Sequence, residues 1–183
     1  TAVVSIIAAR DMKAFGALVC GLLFGAIGFF DDYIKVVKKR NLGLTAAQKF
    51  IAQLVAAAVF LLFVMARGEN SDILIPFTDI SFSLGIWFLP LNIILMVGIV
   101  NSVNLTDGLD GLAAFSALTV AIFFAAFAKY AGEEGISLLM ASLVGATAGF
   151  LVYNIYPAKV FMGDTGSLFL GGILSGVAVY LGF

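Results

Sequence analysis

Three short acidic segments interrupt a chain that is otherwise strongly apolar. In chain order they are Asp31-Asp32, the stretch Asn101–Leu112 with Asp107 and Asp110, and the stretch Gly163–Ser167 with Asp164. Clustered carboxylates repel one another unless a cation joins them, and Mg²⁺ and Mn²⁺ prefer such hard oxygen ligands. An ion held in this way usually binds substrate phosphates as well. The three segments therefore predict a divalent-metal site, provided that the fold brings them together.

The chain also supplies the other groups that phosphoryl transfer needs. The segment Gly163–Ser167 lies at the predicted start of a helix, where free backbone N–H groups favour an anion. Thr165 or Ser167 is predicted to cap that helix. Lys35 and Lys49 supply positive charge that can hold a diphosphate. A metal ion, positive charge and an oriented nucleophile are together the equipment of phosphoryl transfer.

Composition decides the class of protein that positions these residues. The 183 residues are 62% hydrophobic and only 11% charged, whereas soluble domains are about 25% charged. The chain is therefore predicted to be an integral membrane protein, and its membrane location suggests that one substrate is a lipid. It contains no His, which removes the usual general base and the usual zinc ligand. The net charge of -1 says nothing about nucleic acid, but the sequence lacks a basic face of the density that a nucleic-acid partner needs. The single Cys20 excludes a disulfide framework.

The apolar runs predict an all-α, polytopic helical bundle that forms a single domain over residues 1–183. A partial span at residues 1–9 precedes six full spans, at residues 14–30, 50–66, 84–103, 112–130, 136–153 and 165–183. A polar loop is predicted at residues 33–48, and a small external β-hairpin at residues 73–84, where two β-prone segments flank a Thr-Asp pair. Because the chain begins with Thr1 and ends within an apolar run, we expect a fragment that is truncated at both ends.

Topology predicts that the acidic segments meet. Successive spans run in opposite directions, so alternate loops lie on the same side of the membrane, and the three acidic segments fall at every second boundary. Five of the 11 acidic residues lie on that side, namely Asp31, Asp32, Asp107, Asp110 and Asp164, and the other six lie opposite. Six of the ten basic residues share the side of the five acids, four of them between Lys35 and Arg40. The positive-inside rule makes this side cytoplasmic.

Each feature taken alone also has a simpler interpretation. Asp31-Asp32 can end a helix at the membrane interface, Asp-Gly-Leu-Asp-Gly can be a turn with an Asx cap, and Gly163–Ser167 can be an ordinary helix start. The basic residues can be a topology signal or contact anionic lipids, and Phe161 can be an interfacial aromatic residue. Taken together these interpretations are less convincing, because none of them explains why all the acids of the cytoplasmic half are expected to meet at one place on that surface.

The three segments in their sequence context resemble a known family. GFFDDYIKVVKKRNLGLTAAQK, NSVNLTDGLDGLAAF and NIYPAKVFMGDTGSLFLGG are similar to the phospho-N-acetylmuramoyl-pentapeptide transferases of the polyprenyl-phosphate N-acetylhexosamine-1-phosphate transferase superfamily. The resemblance covers almost the whole chain. It implies ten transmembrane helices in the bacterial cytoplasmic membrane, commonly a homodimer, with the active site facing the cytoplasm. It also implies a Mg²⁺-dependent reaction of UDP-N-acetylmuramoyl-pentapeptide with undecaprenyl phosphate, which gives lipid I and UMP in peptidoglycan biosynthesis.

The resemblance also implies roles for single residues. Asp164 would be the Mg²⁺ ligand at the diphosphate, and Asp31, with Asp32 beside it, the base or orienter for the lipid phosphate. Phe161 would stack on uracil. The residues expected to bind substrate are Lys35, Lys49, Asn104, Asp107, Asp110, Asn154, Phe161, Gly163 and Ser167. The family's His-rich motif is not among these residues, so the fragment itself is expected to be incomplete.

Three other functions compete with this one. A sister transferase that uses UDP-N-acetylglucosamine would share the acidic segments, and the choice of donor distinguishes it. A transporter with an acidic relay would place its charges near the middle of the membrane on interrupted helices, whereas these acids lie at the ends of spans. A purely structural membrane protein gives no reason for the acids to converge.

Overall fold

Six long helices make up most of the structure, a computed structural model that describes residues 11–37, 43–68, 72–74 and 81–183. In chain order the elements are α1 (Met12–Val37), α2 (Ala46–Ala66), β1 (Asp72–Leu74), β2 (Ser81–Ser83), a 3-10 turn (Gly85–Trp87), α3 (Phe88–Thr106), α4 (Leu112–Tyr130), α5 (Glu134–Asn154) and α6 (Gly163–Leu181). Among the described residues, six helices are long and apolar enough to cross a membrane. The all-α polytopic fold is confirmed, and the chain is that of a multi-pass membrane protein. The predicted partial span at residues 1–9 lies outside the described residues.

Helix α6 is the centre of the bundle. It is the most buried of the six helices, and it packs most extensively against α1 and then against α3. Gly28 of α1 lies directly against the backbone of Asp164, at a distance that leaves no room for a Cβ atom. Small residues of this kind let membrane helices approach closely. The contact brings the last turns of α1 beside the first turn of α6, where two of the acidic segments lie.

The sequence predicts that helix α1 ends at Asp31-Asp32, but the helix continues beyond this pair. It continues through Asp31 and Asp32 to Val37, so residues 33–37 of the predicted loop are helical. Lys35 pairs with Asp31 at i,i+4 and with Asp32 at i,i+3, and such pairs stabilise a helix beyond its apolar face. At 1.5 Å per residue the 26 residues span about 39 Å, more than the roughly 30 Å of hydrocarbon. The acidic pair therefore lies on a helical extension rather than on a loop.

Helix α2 begins earlier than its apolar run. Thr45 forms a capping box with Gln48: the Thr45 hydroxyl accepts from the Gln48 amide, and the Gln48 side chain accepts from the Thr45 amide. A box of this form satisfies two of the free N–H groups of a helix start. It places Lys49 within the first turn of α2 rather than ahead of it.

Two three-residue strands follow the far end of α2. β1 and β2 pair antiparallel, with Ile73 opposite Phe82, which agrees with the predicted hairpin. Residues 75–80, which connect the strands, lie outside the described residues. Because α2 begins at the acidic segments and ends at Ala66, the hairpin lies at the opposite end of the bundle from those segments.

Candidate functional site

Three aspartates from two helices meet at one end of the bundle. Asp31 and Asp32 of α1 and Asp164 of α6 each offer a carboxylate oxygen, and these oxygens lie within 4.8 Å of one another. Asp31 is almost fully buried, with 3% of its surface exposed, and its Oδ1 accepts a hydrogen bond of 2.7 Å from the Leu44 amide. We refer to Asp31, Asp32 and Asp164 as the carboxylate triad. The triad brings together two segments that are more than 130 residues apart in the chain.

Two lysine ammonium groups lie among these carboxylates. Lys35 Nζ lies 2.5 Å from Asp31 Oδ2, 3.6 Å from Asp32 Oδ1 and 3.2 Å from Asp164 Oδ2. Lys49 Nζ reaches only one member of the triad, Asp164 Oδ2, at 2.9 Å. The two lysines predicted to contact phosphates are thus in the site, and they neutralise part of its charge.

Asn104 joins α3 to this cluster. Its Nδ2 donates to Asp164 Oδ1 at 2.9 Å and to Ser167 Oγ at 2.8 Å, while its Oδ1 accepts from Lys49 Nζ at 3.2 Å. Ser167 is fully buried and donates back to the carbonyl of Gly163. Asn104 therefore fixes the rotamer of Asp164 and the position of Lys49 at the same time.

The start of α6 is not capped by its own side chains. Neither Thr165 nor Ser167 caps the helix, which corrects the sequence-based expectation. Asp32 of α1 takes that role instead, because its Oδ2 accepts from the Thr165 amide at 2.9 Å and from the Thr165 hydroxyl at 2.7 Å. The positive end of the helix dipole stabilises a carboxylate there. Gly163 has a φ of 68° and leaves only 3.2 Å between an added Cβ and Asp32 Oδ2, so a side chain at this position would be strained and would press on the carboxylate.

Asp107 is the fourth carboxylate of the site. Burial raises the pKa of Asp107, and the charges of Asp164 and then Asp32 add to the increase, whereas a hydrogen bond from the Gly163 backbone lowers it. The net shift of the Asp107 pKa is upward, because a further negative charge is unfavourable near the charges of Asp164 and Asp32. Asp107 follows the last turn of α3, so the central segment does reach the triad.

Asp110 and Asn154, which are both expected to bind substrate, form hydrogen bonds with backbone groups of neighbouring loops. Asp110 Oδ2 accepts from the Ala158 amide at 2.9 Å. Asn154 is 3% exposed; its Oδ1 accepts from the Gly111 amide at 3.1 Å and its Nδ2 donates to the Val160 carbonyl at 2.9 Å. Together they tie the turn after α3 to the loop before α6.

Phe161 lies on the loop that these two residues hold. It is 73% exposed and follows Val160 directly. A large exposed ring three residues before Asp164 is suited to stacking on a planar ligand. The hydrogen bonds of Asp110 and Asn154 position the loop that carries Phe161.

Sequence reasoning missed several residues that build the site. Gln53 of α2 is fully buried and forms a reciprocal amide pair with Asn101 of α3, at 2.7 and 3.3 Å. This pair lies one turn from Lys49 and Asn104 and joins the same two helices. A Gln within an apolar run is costly to place in a membrane, but the sequence does not show which partner its side chain binds. By contrast, Thr45-Ala-Ala-Gln48 fits the capping-box pattern and was recognisable.

The donor set of the triad fits a hard divalent cation. All three groups are carboxylates, and the helix start beside them adds a favourable position for phosphate oxygens. Asp31, Asp32 and Asp164 are the residues that would hold such an ion. The predicted ligand Asp164 lies between both lysines and the Asn104 amide, and it is therefore the triad member with the most partners.

Comparison with known proteins identifies the family. The model described as glycosyl transferase family 4 matches residues 14–182, and the chain therefore belongs to this family. The chain is 52% identical over 159 residues to the phospho-N-acetylmuramoyl-pentapeptide-transferase of Halalkalibacterium halodurans, which covers 85% of this chain and 48% of that protein. It is 49% identical over 187 residues to the protein of the same name from Bacillus thuringiensis, over 98% of this chain and 57% of that protein. These similarities confirm the resemblance found in the sequence, and the chain spans about half the length of these curated relatives.

Proposed function

We propose that the protein transfers phospho-N-acetylmuramoyl-pentapeptide from its UDP-linked donor to undecaprenyl phosphate, which yields lipid I and UMP. The relatives named above are named for the transfer of phospho-N-acetylmuramoyl-pentapeptide; the acceptor and the products are those that the resemblance implies. The observation that carries the proposal is the carboxylate triad with its two lysines at one end of six apolar helices. That arrangement suits an anionic, diphosphate-containing donor and an acceptor that resides in the membrane. A Mg²⁺ ion held by Asp31, Asp32 and Asp164 would neutralise the charge that develops on the diphosphate.

The residues of the chain then divide the work of one phosphoryl transfer. Lys35 and Lys49 bind the donor diphosphate, and Phe161 stacks on its uracil ring. Asp31, buried and hydrogen-bonded to the Leu44 amide, orients the acceptor. An oxygen of the lipid phosphate bonds to the β-phosphorus while the bond from that phosphorus to the bridging oxygen breaks, and UMP leaves with that oxygen. A phosphate monoester is already largely ionised at neutral pH, since its second pKa is about 6, so it needs little help from a base.

A groove between α2 and α3 offers a route for the lipid acceptor. Its volume is about 790 Å³, and it is lined by Lys49, Phe50, Gln53, Leu54, Ile94, Val97, Gly98 and Asn101, with Ala46 and Ala47. Most of this lining is apolar, while Lys49 at one end also pairs with Asp164. The prenyl chain lies along the groove, and its phosphate reaches the edge of the triad, where Lys49 also contacts the donor diphosphate. The site faces the cytoplasm of a bacterial inner membrane, and the whole protein forms a homodimer.

The test is an assay of UMP release by the full-length protein in detergent with undecaprenyl phosphate and Mg²⁺. UDP-N-acetylmuramoyl-pentapeptide and UDP-N-acetylglucosamine are offered in parallel, with Asp164→Asn as the control. Release from the muramoyl donor alone, lost in the control, is expected. Release only from UDP-N-acetylglucosamine would assign the protein to the sister transferases, and release from neither would overturn the enzymatic proposal.

The number of chemical steps is tested separately. In the single-step reaction no covalent sugar-phosphate forms on the protein. Incubation with labelled donor in the absence of the lipid acceptor is expected to leave the protein unlabelled after denaturation. A stable label on an aspartate would instead establish a two-step reaction with an aspartyl intermediate.

A further inference from the structure

The ammonium group of Lys35 lies at the centre of the three carboxylates that suit a metal ion. Its Nζ contacts all three triad members, Asp31, Asp32 and Asp164. Lys49, in contrast, contacts Asp164 and the neutral amide of Asn104. Lys35 therefore sits where a cation common to the triad has to sit, whereas Lys49 lies to one side of it.

The dimensions of the triad fit an ammonium better than they fit Mg²⁺. The distances from Lys35 Nζ to the carboxylate oxygens run from 2.5 to 3.6 Å. A Mg²⁺ ion takes oxygens at about 2.0–2.1 Å. To bind Mg²⁺, the carboxylate oxygens must therefore move closer together. They have to do so around the position that the Lys35 ammonium group occupies.

We propose that Lys35 and a divalent cation are alternative occupants of the carboxylate triad, so that metal binding expels the ammonium from it. Two positive groups within a few ångströms repel each other strongly even near a protein surface. The Lys35 side chain is 37% exposed, more than twice the 17% of Lys49, so it has space to swing outward on its flexible stem. This inference rests on the metal dependence in the proposed function, and it adds an exchange at the same site.

After the exchange, the released Lys35 ammonium group is able to bind substrate. An ammonium that has left the triad stays within reach of the donor diphosphate, because it remains tethered to α1. A phosphate that holds Lys35 outside the triad favours metal binding, and by linkage the metal favours phosphate binding to the same extent. The lysine would therefore stabilise the acidic cluster before the metal enters and bind the substrate afterwards.

The first test measures Mn²⁺ binding by the full-length protein in detergent, without nucleotide or lipid, from the electron paramagnetic resonance signal of free Mn²⁺. Lys35→Met keeps most of the side-chain volume and removes the competing charge, so its affinity for Mn²⁺ is expected to rise roughly tenfold or more. Lys49→Met is the matched control and is expected to show a clearly smaller gain. Lys35→Arg keeps the charge and is expected to stay near the wild type.

The outcomes separate this inference from the proposed function. If wild-type protein binds Mn²⁺ and Asp164→Asn does not, the metal site stands, and unchanged or weaker binding by Lys35→Met overturns the exchange alone. An equal or larger gain in Mn²⁺ affinity in Lys49→Met also overturns the exchange. The gain would then come from the removal of any nearby positive charge rather than from the release of the triad. If neither the wild type nor Lys35→Met binds Mn²⁺, the metal dependence of the proposed function fails as well.

A second test uses only the wild-type protein and so does not depend on the folding of a variant. An uncharged, water-soluble amine-acylating reagent is applied with and without Mn²⁺, and modification at each lysine is followed by mass spectrometry. Expulsion from the triad is expected to speed the modification of Lys35, with Lys129 as the internal reference at the other end of the bundle. Modification of Lys35 that is unchanged or slower in Mn²⁺ would overturn the proposal.

Discussion

The two ends of the helical bundle arrange their charges in different ways. At the far end, Lys13 pairs with Glu133 at 2.7 Å and Lys129 pairs with Glu134 at 2.9 Å. At the near end, the three carboxylates of the triad share two lysines, and a fourth carboxylate, Asp107, feels the charge of two of them. We refer to these as the far end and the site end. Within this cluster of described residues, four carboxylates thus face only two lysines.

The difference indicates that the site end, rather than the far end, is suited to binding. Ion pairs at an exposed or partly exposed surface contribute little to stability. An unbalanced cluster costs stability, and such a cost is usual at functional sites, where it is offset elsewhere in the fold. Close contact between Gly28 and the Asp164 backbone holds the site end together despite the repulsion.

The largest expected effect is at the triad. Asp164→Asn removes the carboxylate that both lysines and Asn104 contact, and UMP release is expected to fall by at least about a hundredfold, as for the loss of a central electrostatic group. Glu133→Gln, the matched change at the far end, is expected to leave UMP release unchanged. Comparable activities of the two variants in the full-length protein would break the distinction between the ends.

A second prediction separates the site end from the groove that leads away from it. Gly98 lines the groove, and a Cβ added there meets no atom within 4 Å, so Gly98→Leu is expected to fold normally and to fill the groove. The KM for undecaprenyl phosphate is expected to rise roughly tenfold, since a misfit of a few methylene groups costs about that much. The KM for the nucleotide donor should stay unchanged.

Gly145 of α5 provides the control for this substitution. It is equally open, with nothing within 4 Å of an added Cβ, and it does not line the groove. Gly145→Leu is therefore expected to leave both KM values unchanged. A rise in the KM of the donor instead of the acceptor in Gly98→Leu would contradict the assignment of the groove to the lipid.

The sequence sufficed for the spans and for the convergence of their ends. Long apolar runs fix the number and direction of membrane helices almost alone, and alternation then places Asp31, Asp107 and Asp164 on one side. The same reasoning failed at the helix ends, where α1 continues to Val37. An acidic pair reads as a boundary, but its i,i+4 partner Lys35 lets the helix continue.

The finer positions in the site depend on contacts that no local pattern contains. Asp32 caps a helix 133 residues away in the chain, and Asn154 ties two loops through their backbone groups. Both residues were recognised as candidates, yet their partners follow from the packing of α1, α5 and α6. Gln53 went unnoticed because a single amide within an apolar helix shows its role only when its partner Asn101 is placed beside it.

A third prediction concerns the stability of the site end without metal. Because the pKa of Asp107 is raised in the folded state, the folded protein binds this proton more tightly than the unfolded chain. The contribution of Asp107 to stability is therefore greatest at low pH and is lost as pH rises through its unfolded and then its folded pKa. Asp107→Asn removes this loss.

At neutral pH in the presence of a chelator, Asp107→Asn is expected to have a Tm higher than the wild type by on the order of 1–2 °C, a small value because the carboxyl is only partly buried. The difference should shrink as the pH is lowered and wild-type Asp107 takes up its proton. Asp110→Asn is the control, since Asp110 contacts the Ala158 amide instead of the triad, and a lower Tm is expected there. A lower Tm in Asp107→Asn would show that the carboxylates do not repel one another.

The smallest effect is expected at the far end. Glu133→Gln removes the ion pair with Lys13, whose two side chains are 28% and 27% exposed, and the cost is expected to be about 0.5–1 kcal/mol, as for a partly exposed pair. Glu134→Gln breaks the more exposed pair with Lys129, and its effect on Tm is expected to be too small to measure. Both pairs should weaken further in high salt, because exposed charges are screened. A loss of activity in either variant, with Tm unchanged, would mean that the far end also takes part in function and that binding is not confined to the site end.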